Sequence, residues 1–168
     1  AILSLAMLDL LSTVLGAEGA AQSMPAWVEI VDRQVPVHSA VENLLSGEAT
    51  AVELTSTGST LAPQRDQRLL IAGSFNPLHD GHRGLAAAAS RLSGRTATLE
   101  LSVRNVDKPS LTYSEVIERW RGVQNETMDL VVTREPTFDG KASLFPGCDF
   151  AIGYDTAMRI VEPRYCGT

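Results

Sequence analysis

The chain is poor in several things, and each shortage excludes something. It holds two cysteines in 168 residues, Cys148 and Cys166. Their spacing marks neither a disulfide framework nor a metal knuckle, and two reduced thiols are the expected state. Basic residues are outnumbered, 14 Lys and Arg against 20 Asp and Glu, for a formal net charge of −6. That balance argues against general nucleic-acid binding, which needs a basic surface. Long apolar runs are missing too. The apolar stretch at residues 2–15 is broken by Ser4, Asp9 and Ser12, and it is too short and too polar to span a bilayer. No Lys or Arg precedes it, which disfavours a secretory signal. We read it as a buried helix of a unit cut at its front. There are no internal repeats and no low-complexity segment. Cytoplasm is the default compartment.

What is present is unevenly placed. Residues 1–62 carry seven acids and one base, whereas residues 63–168 carry thirteen of each. Eight of the nine aromatic residues also lie after position 62. The length allows one domain, or one domain plus a fragment. These shifts suggest a partial α/β segment over residues 1–55, a Thr/Ser/Gly/Pro/Gln-rich linker over 56–67, and a main domain over 68–168. In the first segment, residues 27–31 read as a strand, 39–45 as a helix ended by Gly47, and 49–57 as strand or loop. From residue 68 the pattern alternates. Strands are expected at 68–72, 97–103, 130–133 and 150–153, and helices at 81–92, after Thr112, at 141–145 and at 156–161. Thr112-x-x-Glu115 is a capping-box signal for the second of these helices. Such alternation predicts an α/β fold, a Rossmann-like parallel sheet with helices on both faces. Ligands in such sheets sit at the carboxyl ends of the strands. Trp120, Phe150 and Tyr154 read as core, with base stacking an alternative for Tyr154.

One of those ends carries chemistry. Leu69-Leu70-Ile71-Ala72 runs into Gly73-Ser74-Phe75-Asn76-Pro77-Leu78-His79-Asp80-Gly81-His82, and an alanine-rich helix follows. A strand-to-helix turn of this kind gathers backbone N–H groups and the positive helix end at one point. Two imidazoles at the same point make a site for phosphate chemistry. Gly73 reads either as a close approach for a nucleotide or as a turn residue, and Asn76 either as a phosphate contact or as a loop brace. Lys108 follows the second strand, where a mobile cation reaches a phosphate or stays solvated. Asp155 reads as a ligand contact or as a helix N-cap. Arg134 is open between substrate and surface, Arg159 reads as a surface or salt-bridge residue, and His38 as structural or exposed.

The segments GSFNPLHDGH at 73–82, SVRNVDKPSL at 102–111, TREPTF at 133–138 and FAIGYDTAMR at 150–159 together resemble the nucleotidyltransferase superfamily with the HxGH signature. They are most similar to its nicotinamide-mononucleotide adenylyltransferase-like members. Residues 19–47 resemble, more weakly, the tail of a CinA-like domain. The resemblance implies adenylyl transfer from ATP to a nucleotide or phosphorylated small molecule, with nicotinamide mononucleotide as the first acceptor to consider and NAD biosynthesis as its setting. His79, His82 and Lys108 would be catalytic. Gly73, Ser74, Phe75, Asn76, Gly81, Gly153, Asp155 and Thr156 would bind ATP, and Arg134 the second substrate. Mg²⁺ would accompany the triphosphate, held mostly by phosphate oxygens because no carboxylate cage is visible.

The chain departs from that family in one respect. The late Ser/Thr-x-x-Arg segment that grips ATP phosphates from a helix start does not follow Arg159. Two alternatives therefore stand beside the adenylyltransferase. One is phosphopantetheine adenylyl or cytidylyl transfer. The other is a non-catalytic assembly subunit, a homo-oligomer or part of a larger complex, built on the same fold.

Overall fold

The computed structural model describes residues 34–61, 67–106, 108–126 and 128–160. The helix expected at 2–15, the strand at 27–31 and the end of the last helix lie outside them. In chain order the elements are β1 (Gln34–Val35), α1 (Val37–Ser46), β2 (Ala51–Thr55), β3 (Gly58–Thr60), β4 (Leu69–Ala72), α2 (Asp80–Ser93), β5 (Ala97–Ser102), α3 (Tyr113–Val123), β6 (Leu130–Thr133), α4 (Phe138–Leu144), β7 (Asp149–Ala151) and α5 (Tyr154–Ile160).

All seven strands form one sheet in the order β1-β3-β2-β6-β5-β4-β7. The parallel part is β6-β5-β4-β7. Its strands β4, β5 and β6 are short and almost wholly buried, as strands covered on both faces must be, whereas β7 at the edge is partly exposed. The chain winds from β4 through β5 to β6, then returns to β7 on the other side of β4. The winding therefore reverses between β4 and β7, and ligands of such sheets bind at the carboxyl ends beside a reversal of this kind.

Two apolar layers cover the sheet. One joins Ile71, Leu99, Leu101 and Val132 to Val41 and Leu44 of α1, Ala86 of α2, and Val116 and Ile117 of α3. The other joins Leu70, Val131 and Ala51 to Phe145, which follows α4. Helices thus lie on both faces, with α1, α2 and α3 on one side and α4 on the other.

The helix ends follow local rules. Thr112 and Glu115 form the reciprocal cap of α3, with Thr112 N–H donating to Glu115 Oε2 at 2.8 Å and Glu115 N–H to Thr112 Oγ1 at 3.4 Å. Gly47 ends α1 at φ 96°, in the left-handed region that favours glycine.

Two expectations are corrected. The sheet is mixed, because β2 pairs antiparallel with β6, Ala51 opposite Thr133 through Leu54 opposite Leu130. The stretch 56–67, expected as a linker, contains strand β3, which pairs with both β1 and β2. Residues 34–60 therefore share the sheet of the main domain. Their polar composition misleads for a physical reason. Thr55 Oγ1 accepts the N–H groups of Thr57 (3.3 Å) and Gly58 (3.1 Å) in the hairpin turn. Ser59 is 2% exposed, and its hydroxyl donates to Val35 O at 2.5 Å. These hydroxyls build the hairpin; they do not solvate a linker.

Candidate active site

The turn after β4 is held to the sheet by Gly73, whose N–H donates to Glu100 O at 3.1 Å. Phe75 then folds back. It sits at φ 46° and is 2% exposed, a left-handed conformation that costs a bulky residue about 1–2 kcal/mol. A Cβ at Gly73 would lie 2.8 Å from the Phe75 ring. The glycine therefore makes room for that ring. Phe75, expected to bind nucleotide, is instead a buried support: its ring meets His82 edge-on, with centroids 5.0 Å apart. Ser74 and Asn76 are exposed on the turn, and the Asn76–Pro77 peptide is cis.

The two imidazoles cap α2. His79 is the N-cap, and its Nδ1 accepts the Gly81 N–H at 3.1 Å. His82 reaches back, and its Nδ1 accepts the His79 N–H at 3.3 Å. This is the reciprocal logic of a capping box, carried out by imidazoles. An Nδ1 that accepts a backbone N–H places the proton of a neutral ring on Nε2. The pair thus offers two Nε2–H donors on rings 3.9 Å apart. Burial, then the neighbouring His79 and Arg83, hold the His82 pKa below its ordinary value of 6.5, which favours that neutral form. A Cβ at Gly81 would come within 3.0 Å of the His79 ring, so this glycine lets the imidazole cap its own helix.

The caps alter one expectation. The helix start was expected to present free N–H groups. The Gly81 N–H goes to the His79 ring, and those of His82 (2.9 Å) and Arg83 (3.3 Å) go to His79 O. The imidazole Nε2–H groups, more than the backbone, are what the turn offers an anion. Arg83 adds a cation next to them. It bridges Asp80 at 2.9 Å and Glu126 at 2.8 Å, which raises its pKa and lowers that of Glu126. A cleft of about 480 Å³ begins at Arg83 and runs along Ala86, Ala87 and Ser90 to Arg95.

The remaining residues fall into two groups. Ile71 of β4 pairs with Ala151 of β7, so Gly153, Asp155 and Thr156 leave the sheet beside the histidine turn, at the point of reversal. Asp155 lies in the first turn of α5, exposed, and Thr156 is half-buried. Tyr154, expected to be buried, is 78% exposed there. Lys108 is exposed on the loop after β5, which the Leu111 N–H closes by donating to Val103 O at 2.8 Å. Arg134 does not join them. Its Nη1 donates to the carbonyls of Leu44 at 2.7 Å and Leu45 at 2.9 Å, capping the end of α1. His38 is also structural, hydrogen-bonded to the Tyr113 hydroxyl. The Arg159 side chain lies outside the described residues.

Glu100, Thr133 and Lys141, behind the turn, were not anticipated. A glutamate in the strand Ala97-Thr98-Leu99-Glu100-Leu101-Ser102 was the available signal, because its neighbours on both sides are core residues. Among the described residues no cluster of three or more His, Cys, Asp or Glu could hold a metal ion, and no helix is long and apolar enough to cross a membrane. No protein-family model, curated protein or solved structure matches the chain.

Proposed function

We propose that the chain is an adenylyltransferase of the HxGH type, moving the adenylyl group of ATP to a phosphorylated acceptor. One observation carries this reading: two imidazoles, their rings 3.9 Å apart, offer Nε2–H donors at the carboxyl end of β4, beside the point where the winding reverses. An oxygen of the acceptor phosphate attacks the α-phosphorus of ATP. The new P–O bond forms as the bond to the β-phosphate oxygen breaks, and pyrophosphate leaves with its electron pair. The nucleophile is already an anion, so no general base is needed. The difficulty is charge crowded around one phosphorus, and fixed donors relieve it by positioning and electrostatic stabilisation.

His82, partly buried and held neutral, contacts the reacting phosphate, and His79 its neighbour. Lys108 serves the acceptor phosphate from the adjacent strand end. Gly73, Ser74, Asn76 and Gly81 shape the turn, while Gly153, Asp155 and Thr156 flank adenosine from the β7 side. Mg²⁺ arrives with the triphosphate, on phosphate oxygens. Nicotinamide mononucleotide is the first acceptor to try, before phosphopantetheine and, with CTP, cytidylyl acceptors.

A non-catalytic assembly role is the second reading. It is favoured by the donors that the imidazole caps already satisfy at α2 and by Tyr154 and Met158, 78% and 51% exposed one turn apart on α5. Calorimetry with Mg·ATP separates the two. The enzyme reading expects saturable binding that His82→Ala weakens, and a chain that takes up no ATP at millimolar concentration supports the assembly reading.

A further inference from the structure

The chain has only two lysines, Lys108 and Lys141. Lys108 is exposed, whereas Lys141 is 6% exposed, beside a Glu100 with no exposure at all. The Glu100 carboxylate accepts from Thr133 Oγ1 at 2.7 Å through Oε1 and from Lys141 Nζ at 2.7 Å through Oε2. The ammonium also lies 5.1 Å from the centre of the Phe138 ring, and Phe138 meets Phe150 of β7 edge-on at 5.8 Å. One buried charge pair thus reaches β5, β6, α4 and, through the rings, β7. The same Glu100 takes the Gly73 N–H on its main-chain carbonyl.

A buried ion pair is a poor device for stability alone. Desolvating two charges offsets their attraction, and apolar residues of similar volume often do as well. What a charge pair adds over apolar packing is direction, because its hydrogen bonds are satisfied in one arrangement only. Here the fixed group is the strand end from which the histidine turn hangs.

We propose that Glu100 and Lys141 are a positioning pair for the nucleotide site. They fix the carboxyl end of β5 against β6 and α4, and through the Glu100 carbonyl they set where Gly73, and therefore the His79–His82 cap, leaves the sheet. The proposal rests on the nucleotide reading of that turn. A pair that merely docks α4 would leave the imidazoles where they are.

The double variant Glu100→Gln/Lys141→Met tests this in the full chain. It removes both charges together and leaves no unpaired ion buried. The primary readout is ligand-free: the Gly73 amide signal and the ring ¹⁵N signals of His79 and His82. The expected result is a shift of all three, with the balance of the His82 ring between its Nδ1–H and Nε2–H forms changed. Mg·ATP affinity, measured by calorimetry, weakens about 10- to 100-fold. Histidine ring signals that stay at wild-type positions in the folded double variant overturn the proposal. Should the double variant not fold, Glu100→Gln alone is scored on the same signals, since it keeps an oxygen for Thr133. A wild-type chain that fails to bind Mg·ATP overturns the nucleotide reading only, because the ligand-free signals still decide the positioning.

Discussion

The hydrogen bond from Gly73 N–H to Glu100 O joins two regions built on opposite principles. On one side, the cap of α2 is exposed and local. Its bonds link His79 to Gly81 and His79 to His82, residues two and three apart. On the other side, the Glu100 cluster is buried and long-range, with partners 33 and 41 residues away. The first arrangement is set by helix geometry within one turn and so shows in the chain as a motif. The second exists only once β5, β6 and α4 are packed. Its charges tolerate burial because Thr133 and Lys141 satisfy both carboxylate oxygens. The residues expected to touch a ligand are thus the part of this site that the sequence displays. The residues that fix their frame are hidden in the core.

The largest effect that would sharpen this contrast is on folding. Lys141→Met leaves the Glu100 charge buried without its counter-ion, and chemical denaturation is expected to show a loss of about 3–5 kcal/mol. A loss below about 1 kcal/mol would show that the pair is not buried as described.

The next effect falls on chemistry. On the proposed function, His82→Ala removes one donor and is expected to lower adenylyl transfer about 10²- to 10³-fold. The accompanying stability loss is only that of a damaged cap, about 1 kcal/mol. Near-normal turnover in an otherwise active chain would remove His82 from the mechanism.

Arg134 provides the control. Arg134→Met strips the donor from the Leu44 and Leu45 carbonyls, and an expected cost of about 1–3 kcal/mol should register in melting. ATP and acceptor affinity should not change. A raised KM for the acceptor at unchanged stability would restore Arg134 to the substrate side.

The smallest effect is on pH dependence. The folded-state pKa of His82 lies below its ordinary value of 6.5, so the native chain takes up the proton less readily than the unfolded one. The contribution to stability is flat above that value. It is lost as pH falls from about 6.5 to the folded-state value, because protonation of Nδ1 also removes the acceptor of the His79 N–H. His82→Gln, which keeps an acceptor but does not titrate, should flatten that part of the stability profile. An unchanged slope would separate the acid sensitivity from the cap.

Much of the parallel half is legible in the sequence. Leu130–Thr133 and the cap at Thr112 fall where periodicity and capping chemistry put them, since both signals are local. The helix at Val37–Ser46 with its Gly47 stop was close to expectation for the same reason. The antiparallel part was misread. Ser59 and Thr60 carry the side chains of a linker, and only their pairing with β1 and β2 makes them a strand. Phe75 and Tyr154 show the converse error, one buried by a glycine two residues away and the other left in solvent. Which aromatic ring faces the core depends on neighbours that a local reading does not contain. Arg134 belongs here too, because the carbonyls it caps are some 90 residues away in the chain.

The order of residues by itself determined the α/β alternation, the helix caps and the His-x-Gly-His turn after β4. Each depends on bonds or side-chain periodicity within a few residues. Tertiary structure alone decided that residues 34–60 belong to the main sheet, that the winding reverses between β4 and β7 so that the 73–82 and 153–156 segments leave the sheet from adjacent strands, and that Glu100 and Lys141 share a buried site behind the turn. Those outcomes depend on strand pairing and on desolvation, and both are properties of the assembled layers.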